Sequence, residues 1–571
     1  MPWAVGGAIG LCLGVSLTLG LYQLGASPLL EGEARYALIG REMLVSGDWV
    51  QPRLNDVRYY EKPPLLYWTI AAAHGALGST ESASRLPSVL AHAGTAAVVY
   101  LIALALLGRG AARRAGLIYA TTVGPFIFAR AAFPDAPLTF FLSLALLGLV
   151  LTARGGWPRL GPILVYASAA CAGLTKGLIG LVVPFGVAAL CTLLVDRTLP
   201  RRLQFWRGLL VFALIFMPWH ILLGWRDPAF VPFYVLNEHV YRFLNIRDPI
   251  DYTPMSIPGF WIATLFWLLP WSLFLPAALV RGREALRPVV LPLLWAGLVL
   301  GFFTLAQSRL EKYGLPAIPA LAVVIAAWWP ERATVRTSRW PLVAPASIIA
   351  ALGVLFVAVG FVLPAQGGPL TALVSQLDGY YREHPDDALL IARQATDLAK
   401  PFSLLMLAIG VGTLAAGWTG RSRAAFAAWA VGFALVLPFV SRGTQLLGDD
   451  RSQRTAMEVV STYWVPDARL VVDGIYEQTM SLSFYANRPV TVLEDGQHAD
   501  LLFGRRHGDA PGLFMSHRDL VAQWNTPQRI FLVAAPSDFP ADATVLFKRP
   551  TFAVVTNHPL DAAPPPRPAG P

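Results

Sequence analysis

Two stretches of the sequence, EGEARYALIGRE (31–42) and EKPPLLYW (61–68), crowd ionisable groups between long apolar runs. They contribute Glu31, Glu33, Arg35, Tyr36, Arg41, Glu42, Glu61 and Lys62. Further along, charges return in short turns. AAFPDAPL carries Asp135, LTKGLIG carries Lys176, VLNEHVYRF carries Asn237, Glu238, His239 and Arg242, and QSRLEKYGLP carries Arg309, Glu311 and Lys312. Ionisable groups at a bilayer boundary cost free energy unless paired or solvated, so they mark a site. A carboxylate can act as general base or hold a sugar. Lysine and arginine neutralise phosphate, arginine through two parallel hydrogen bonds. Such a set suits an anionic, lipid-linked substrate. The competing reading is that loops are polar and these charges are simply solvated. It weighs equally for Arg41, Glu42, Glu238 and Glu311. It weighs less for Asp135, in a tight turn between apolar runs, and for Lys176, among glycine and apolar neighbours. Only five of the 45 basic residues are lysine, and three of those five belong to this set.

The elements that must position these groups are helices in a membrane. The chain has 571 residues, of which 55% are hydrophobic and 14% charged. No soluble protein of this size could bury so much apolar surface. Helices satisfy their own backbone hydrogen bonds, as lipid requires. The fold class expected is a polytopic α-helical membrane protein with about thirteen transmembrane helices and a C-terminal extracytoplasmic α/β domain. The spans fall near 3–24, 86–108, 115–131, 137–153, 160–175, 177–195, 208–224, 259–280, 288–305, 314–329, 341–364, 401–418 and 424–440. The first has no basic leader and is too long for a signal peptide. The apolar stretch 63–78 is short, follows Pro63 and Pro64, and reads as interfacial.

Arginine-rich loops at 109–114, 154–159, 196–207, 281–287, 330–340 and 420–423 alternate with the loops that hold the candidate site. The positive-inside rule puts the arginine-rich set in the cytoplasm and the site on the other face. The net charge of +10 therefore reads as topology, with no nucleic acid as partner. Cys12, Cys171 and Cys191 lie in apolar runs and read as packing residues. Residues 1–440 read as a transmembrane domain, with first outer loop 25–85. Residues 441–571 read as an α/β domain with strands near 469–474, 488–495, 529–535 and 551–557, helices near 451–463 and 517–524, and a disordered tail. His498, His507, His517 and His558 read as surface residues. No P-loop, dinucleotide-binding glycine pattern or nucleophile elbow is present, so a nucleotide-sugar donor is not indicated.

GEARYALIGREMLVSGDWVQPRLNDVRYYEKPPLLYW resembles the first periplasmic loop of bacterial lipid A aminoarabinose transferases, within the protein O-mannosyltransferase superfamily. FARAAFPDAPLTFF, GLTKGLIGLVVP, FYVLNEHVYRFL and SRLEKYGLPAIPALA match in the same order. The resemblance implies an inverting glycosyltransferase of the bacterial inner (cytoplasmic) membrane. Its donor is a sugar on undecaprenyl phosphate, and its acceptor is lipid A or a related envelope molecule. Asp135 matches one catalytic carboxylate. The family pattern Asp-Glu-x-Arg-Tyr reads Gly32-Glu33-Ala34-Arg35-Tyr36 here, which leaves Glu33 as the second, with Glu31 as substitute. Arg35, Tyr36, Lys62, Lys176, Arg242 and Lys312 are the expected carrier-phosphate and sugar contacts. Glu61 and His239 match positions for a divalent metal, zinc. Read without the resemblance, a lone histidine and glutamate favour a structural histidine.

Two other activities compete. A protein O-glycosyltransferase of the same superfamily would take Ser/Thr peptides, and no residue here excludes it. A lipid-linked sugar transporter would put ionisable groups near helix centres and break its helices, whereas here the charges sit at one rim. A non-catalytic sensor, with a ligand-binding outer domain, is kept open by Gly32.

Overall fold

The structure, a computed structural model, describes residues 2–559 apart from 156, 251–252, 281–282, 330–338, 363–370, 373–381, 383–384, 450–451, 495–497, 537 and 550. The C-terminal tail from 560, the side chain of Glu31, and parts of the arginine-rich loops at 154–159, 281–287 and 330–340 lie outside the described residues.

Each apolar run forms a helix or a pair of helices. Among the described residues, seven helices are long and apolar enough to cross a bilayer, and eight if one bent pair counts as a span. Four shorter apolar helices accompany them, including Leu65–Leu77 at the interfacial stretch. The fold is that of a polytopic α-helical membrane protein.

Two expected single spans are broken, and the breaks meet. The 115–131 run divides into Arg109–Ala120 and Val123–Ala129. The 259–280 run divides into Ile257–Trp267 and Trp271–Leu279, bent by 102°. At the first break the Val123 N–H leaves its own helix and donates to the Leu269 carbonyl at 2.9 Å. At the second, Pro270 has no N–H to continue the ladder. Tertiary hydrogen bonding thus replaces helix bonds at both places, which hydropathy alone cannot register.

The first outer loop folds as helix Glu31–Ser46, a two-residue hairpin pair β1 (Arg53–Leu54) and β2 (Val57–Arg58), and helix Leu65–Leu77. The first of these helices stops where Gly47 takes a left-handed conformation, φ 70°.

After helix Ser422–Asp449 the chain builds a sheet from β3 (Arg469–Val472), β4 (Thr491–Leu493), β5 (Phe514–Met515), β6 (Ile530–Ala534), β7 (Thr544–Lys548) and β8 (Ala553–Thr556). Its order is β5-β4-β3-β6-β8-β7. The first four strands are parallel, and β8 and β7 add antiparallel. The four strands legible in sequence are present. β5 and β7 were not expected, being a two-residue strand and a half-exposed edge strand.

This unit docks on the first loop through a shared apolar cluster that includes Ile39, Met43, Tyr67, Tyr476, Met480 and Phe484. Arg41 donates to the carbonyls of Ser483 (3.0 Å) and Phe484 (2.6 Å). Asn55 exchanges two 2.8 Å hydrogen bonds with the Val490 backbone. Glu42 accepts from the Asn55 and Asp56 N–H groups. Arg41 and Glu42 are therefore structural clamps and not solvated charges. His498 is a correction too. It is buried because both ring nitrogens are held by backbone groups, Nδ1 accepting from the Tyr476 N–H and Nε2 meeting the Leu493 carbonyl.

Candidate active site

Asp135 is the first residue of helix Asp135–Arg154, and Lys176 is the last of helix Leu160–Lys176. An acid at a helix N-terminus and a base at a C-terminus are both stabilised by the local helix dipole. Their side chains meet at 2.6 Å, Lys176 Nζ donating to Asp135 Oδ1. Asp135 is only 2% exposed, and its Oδ2 has no hydrogen-bond partner among the described residues. After Lys176 the chain turns at Gly177, φ 77°, into helix Ile179–Leu194, and a Cβ at Gly177 would lie 2.0 Å from His239 Nε2. Only glycine lets the turn and the histidine share this space.

Asp135 and Lys176 open on a cavity of about 420 Å³. Its polar end holds Glu61, Lys62, Asp135, Lys176, Glu238, His239, Arg242, Lys312 and Tyr313. Its other walls are apolar, including Leu178, Ile179, Val182, Phe302 and Phe303. Seven of the ten site residues expected from sequence are brought together here, from five separate segments.

Two of the cavity's acids are neutralised from behind. Arg247 bonds Glu61 Oε1 and Glu238 Oε1, each at 2.5 Å. Lys62 lies 3.4 Å and Arg242 3.2 Å from Glu238 Oε2. Burial by itself would raise the Glu61 pKa, but Arg247, Lys62, Arg35 and Arg242 outweigh it and hold Glu61 well below the usual carboxylate range. Burial, with Arg242 and Arg247 beside it, pushes Lys62 below an ordinary lysine. Tyr313 reports the field of the cavity. Burial alone would raise its phenol, yet Arg242, Lys176, Lys62 and Lys312 bring it below the ordinary value. The polar end is therefore electropositive, with Asp135 as its carboxylate that keeps an unpartnered oxygen.

Sequence reasoning missed Arg247 and Tyr313. Arg247 is 2% exposed. In sequence it is one arginine among many in a polar loop, and only the burial of two acids beside it gives it meaning.

Glu33, Arg35 and Tyr36 correct the expectation, since none of them lines the cavity. Successive residues on a helix point about 100° apart, so this stretch serves several neighbours. Glu33 is clamped by Arg85, Nε at 3.0 Å and Nη2 at 2.8 Å, and it also accepts from the Ala132 N–H at 3.0 Å. Arg35 pairs with Asp500 of the C-terminal unit at 2.7 Å. Tyr36 packs on Tyr67 and edge-on to Phe133. A Cβ on Gly32 would lie 3.0 Å from the Phe133 ring, and that ring also carries Lys312 Nζ 4.6 Å from its centroid. Position 32, where the resemblance led to the expectation of an aspartate, is thus packed by an aromatic side chain.

Glu61 and His239 both line the cavity but do not make a donor set for a resident metal. Among the described residues no cluster of three or more His, Cys, Asp or Glu could hold one. Glu61 faces the Arg247 guanidinium and the Lys62 ammonium, whose charges oppose a divalent ion. His239 has Nδ1 committed to the Tyr234 carbonyl at 2.6 Å, and burial pushes its pKa down to about 4.

The fold and cavity define a polytopic membrane protein with a pocket cationic at one end and apolar at the other, and with an α/β unit docked on its first loop. The same architecture occurs in ArnT from Cupriavidus metallidurans bound to undecaprenyl phosphate, with TM-score 0.80 and 25% identity over 98% of this chain and 99% of that one. Residues 30–234 match the family described as dolichyl-phosphate-mannose-protein mannosyltransferase. The chain is similar to the undecaprenyl phosphate-alpha-4-amino-4-deoxy-L-arabinose arabinosyl transferase of Serratia proteamaculans, 32% identical over 308 residues, 52% of this chain and 54% of that protein. The protein of that name from Yersinia enterocolitica is 33% identical over 309 residues, again 52% of this chain and 54% of that protein. The chain spans about half the length of the curated relatives it matches.

Proposed function

We propose that the chain is an inverting glycosyltransferase that moves a sugar from a polyprenyl (undecaprenyl) phosphate to lipid A or a related envelope acceptor. It works at the periplasmic face of the bacterial inner membrane. The observation that carries this reading is Asp135. Its carboxylate is buried, tethered through Oδ1 to Lys176, and unpartnered at Oδ2, at the cationic end of a cavity whose other end is apolar. The likeness along nearly the whole chain to a structure bound to undecaprenyl phosphate supports the same donor class.

The reaction is a single displacement. The carrier phosphate sits among Lys62, Lys176, Arg242 and Lys312, with its polyprenyl tail along the apolar walls. The acceptor oxygen bonds to the anomeric carbon while the bond from that carbon to the phosphate oxygen breaks. The electron pair leaves with the phosphate, and the cations stabilise its charge in a pocket where little water competes. Asp135 Oδ2 orients the acceptor and takes its proton if that acceptor is a hydroxyl. A phosphate acceptor has no proton to give, and positioning then supplies more of the rate. With Gly32 in place of an aspartate and Asp135 paired to Lys176, the site is better suited to that anionic acceptor. Glu33 acts as a positioning residue by holding the Ala132 N–H in the turn that leads to Asp135.

Lipid A mass spectrometry of cells with the gene, without it, and with Asp135→Asn tests the reading. A sugar adduct lost in the last two is expected. An adduct unchanged by deletion overturns lipid A as acceptor.

A further inference from the structure

The cations at the polar end of the cavity are held in two different ways. Lys176 lies 2.6 Å from Asp135, Lys62 3.4 Å and Arg242 3.2 Å from Glu238, and Arg247 2.5 Å from both Glu61 and Glu238. Lys312 lines the same cavity with no carboxylate paired to it among the described residues. Its ammonium lies over the face of the Phe133 ring, 4.6 Å from the centroid. The face is the negative side of the ring quadrupole, so it attracts the ammonium without neutralising its charge.

The ring is built into the site. Phe133 stands two residues before Asp135 in the turn AAFPDAPL, so the turn that delivers the acid also delivers the ring. Tyr36 meets the ring edge-on with centroids 5.9 Å apart, and Phe128 lies 6.3 Å away. Gly32 leaves room for the ring's edge, since a Cβ there would fall 3.0 Å from it. The Phe133 carbonyl accepts from Ser88 Oγ at 3.4 Å, which ties the backbone as well.

The two kinds of pairing differ in what an incoming anion must displace. A phosphate drawing on Lys176 competes with Asp135, and one drawing on Lys62 or Arg242 competes with Glu238. Between buried charges that competition offsets much of the attraction. A phosphate at Lys312 breaks no ion pair. An ammonium has three donors, so it can keep the ring on one side and meet phosphate oxygens on another.

We propose that Phe133 is a positioning residue for donor recognition: its ring holds Lys312 in the cavity outside any ion pair, and through that lysine it sets the affinity for the carrier phosphate. This rests on the reading of the cavity as a polyprenyl-phosphate site. It adds which cation separates the phosphate from the neutral alcohol of the same chain length.

The test titrates the purified full chain in detergent with undecaprenyl phosphate and, separately, with undecaprenol. Lys312→Gln should weaken binding of the phosphate by about tenfold. Phe133→Leu should weaken it by roughly fivefold. Phe133→pentafluorophenylalanine keeps the ring's shape and reverses its quadrupole, so it should weaken the phosphate as Phe133→Leu does while the melting temperature stays near that of the parent. It also replaces Phe133→Leu if that variant melts early. Undecaprenol binding should be the same in all of them. In the Lys312→Gln background either change at 133 should have no further effect, which a double-mutant cycle reads directly. The proposal is overturned if the fluorinated protein binds the phosphate as tightly as the parent, if Lys312→Gln leaves binding unchanged, or if the effects at 133 and 312 simply add. A parent chain that does not bind undecaprenyl phosphate overturns the donor reading and this proposal with it. Parent binding with an unaltered fluorinated variant overturns this proposal alone.

Discussion

Asp135 and Lys176 meet at 2.6 Å across the mouths of two neighbouring helices, and the pairing occupies only one of the two carboxylate oxygens. The lysine fixes the rotamer of the acid, and the second oxygen is left for a substrate. Asp135→Asn preserves the shape and removes the charge. With a hydroxyl acceptor transfer should fall by about 10²–10⁴-fold, and with a phosphate acceptor by less, with binding of undecaprenyl phosphate retained in both cases. Product formation and carrier binding, measured on the same preparation, check both halves.

Glu33 and Arg85 make a buried ion pair, with side chains 7% and 3% exposed. Glu33→Ala leaves a buried guanidinium with its carboxylate partner removed and should cost about 3–5 kcal/mol. Glu33→Gln keeps part of the hydrogen bonding and should cost less. Thermal melting distinguishes this from catalysis, because Asp135→Asn should leave the melting temperature nearly unchanged. A Glu33→Ala protein that melts normally but has lost transfer would return Glu33 to a chemical role.

Lys62 should give the proposed transfer its alkaline limit. Its pKa is lowered by burial and by Arg242, so it loses its proton at a lower pH than an ordinary lysine. The sign follows directly: as pH rises, the neutral amine no longer attracts the carrier phosphate, and KM for donor rises. Bound phosphate favours the charged form, so the loss appears in kcat/KM at lower pH than in kcat. Lys62→Arg keeps its charge and should remove this alkaline limb, which pH profiles of the two proteins will reveal.

Gly32 and Phe133 are in close contact, and placing an aspartate at 32 requires the ring to move. Gly32→Asp alone should lower both the melting temperature and transfer. Gly32→Asp with Phe133→Ala should recover stability relative to the single variant, since the shortened side chain frees the space. Melting curves of the four proteins of this double-mutant cycle report the coupling.

The contact between the C-terminal unit and the first loop rests partly on Arg58, which bonds Asp509 at 2.8 Å and Asp227 at 2.7 Å. Arg58→Ala should loosen the docked unit and raise proteolysis of the connection after Asp449, assayed by limited digestion in detergent.

Hydrophobic run length determined the helices, because lipid forces apolar segments to close their own hydrogen bonds. Alternation and β-branched runs determined four of the strands of the C-terminal sheet, and the rarity of lysine singled out Lys62, Lys176 and Lys312, which all reach one cavity. Tertiary structure decided the rest. Which face of helix Glu31–Ser46 meets which neighbour separated Glu33 from the site and tied it to Arg85. Burial of Glu61 and Glu238 against one guanidinium gave Arg247 its place. The helix breaks depend on a hydrogen bond from Val123 to Leu269, far apart in the chain. Sequence fixes which side chains are costly to leave unpaired. Only packing in three dimensions decides which partner each one finds, because in a low-dielectric interior a few ångströms separate a neutralised charge from one left for substrate.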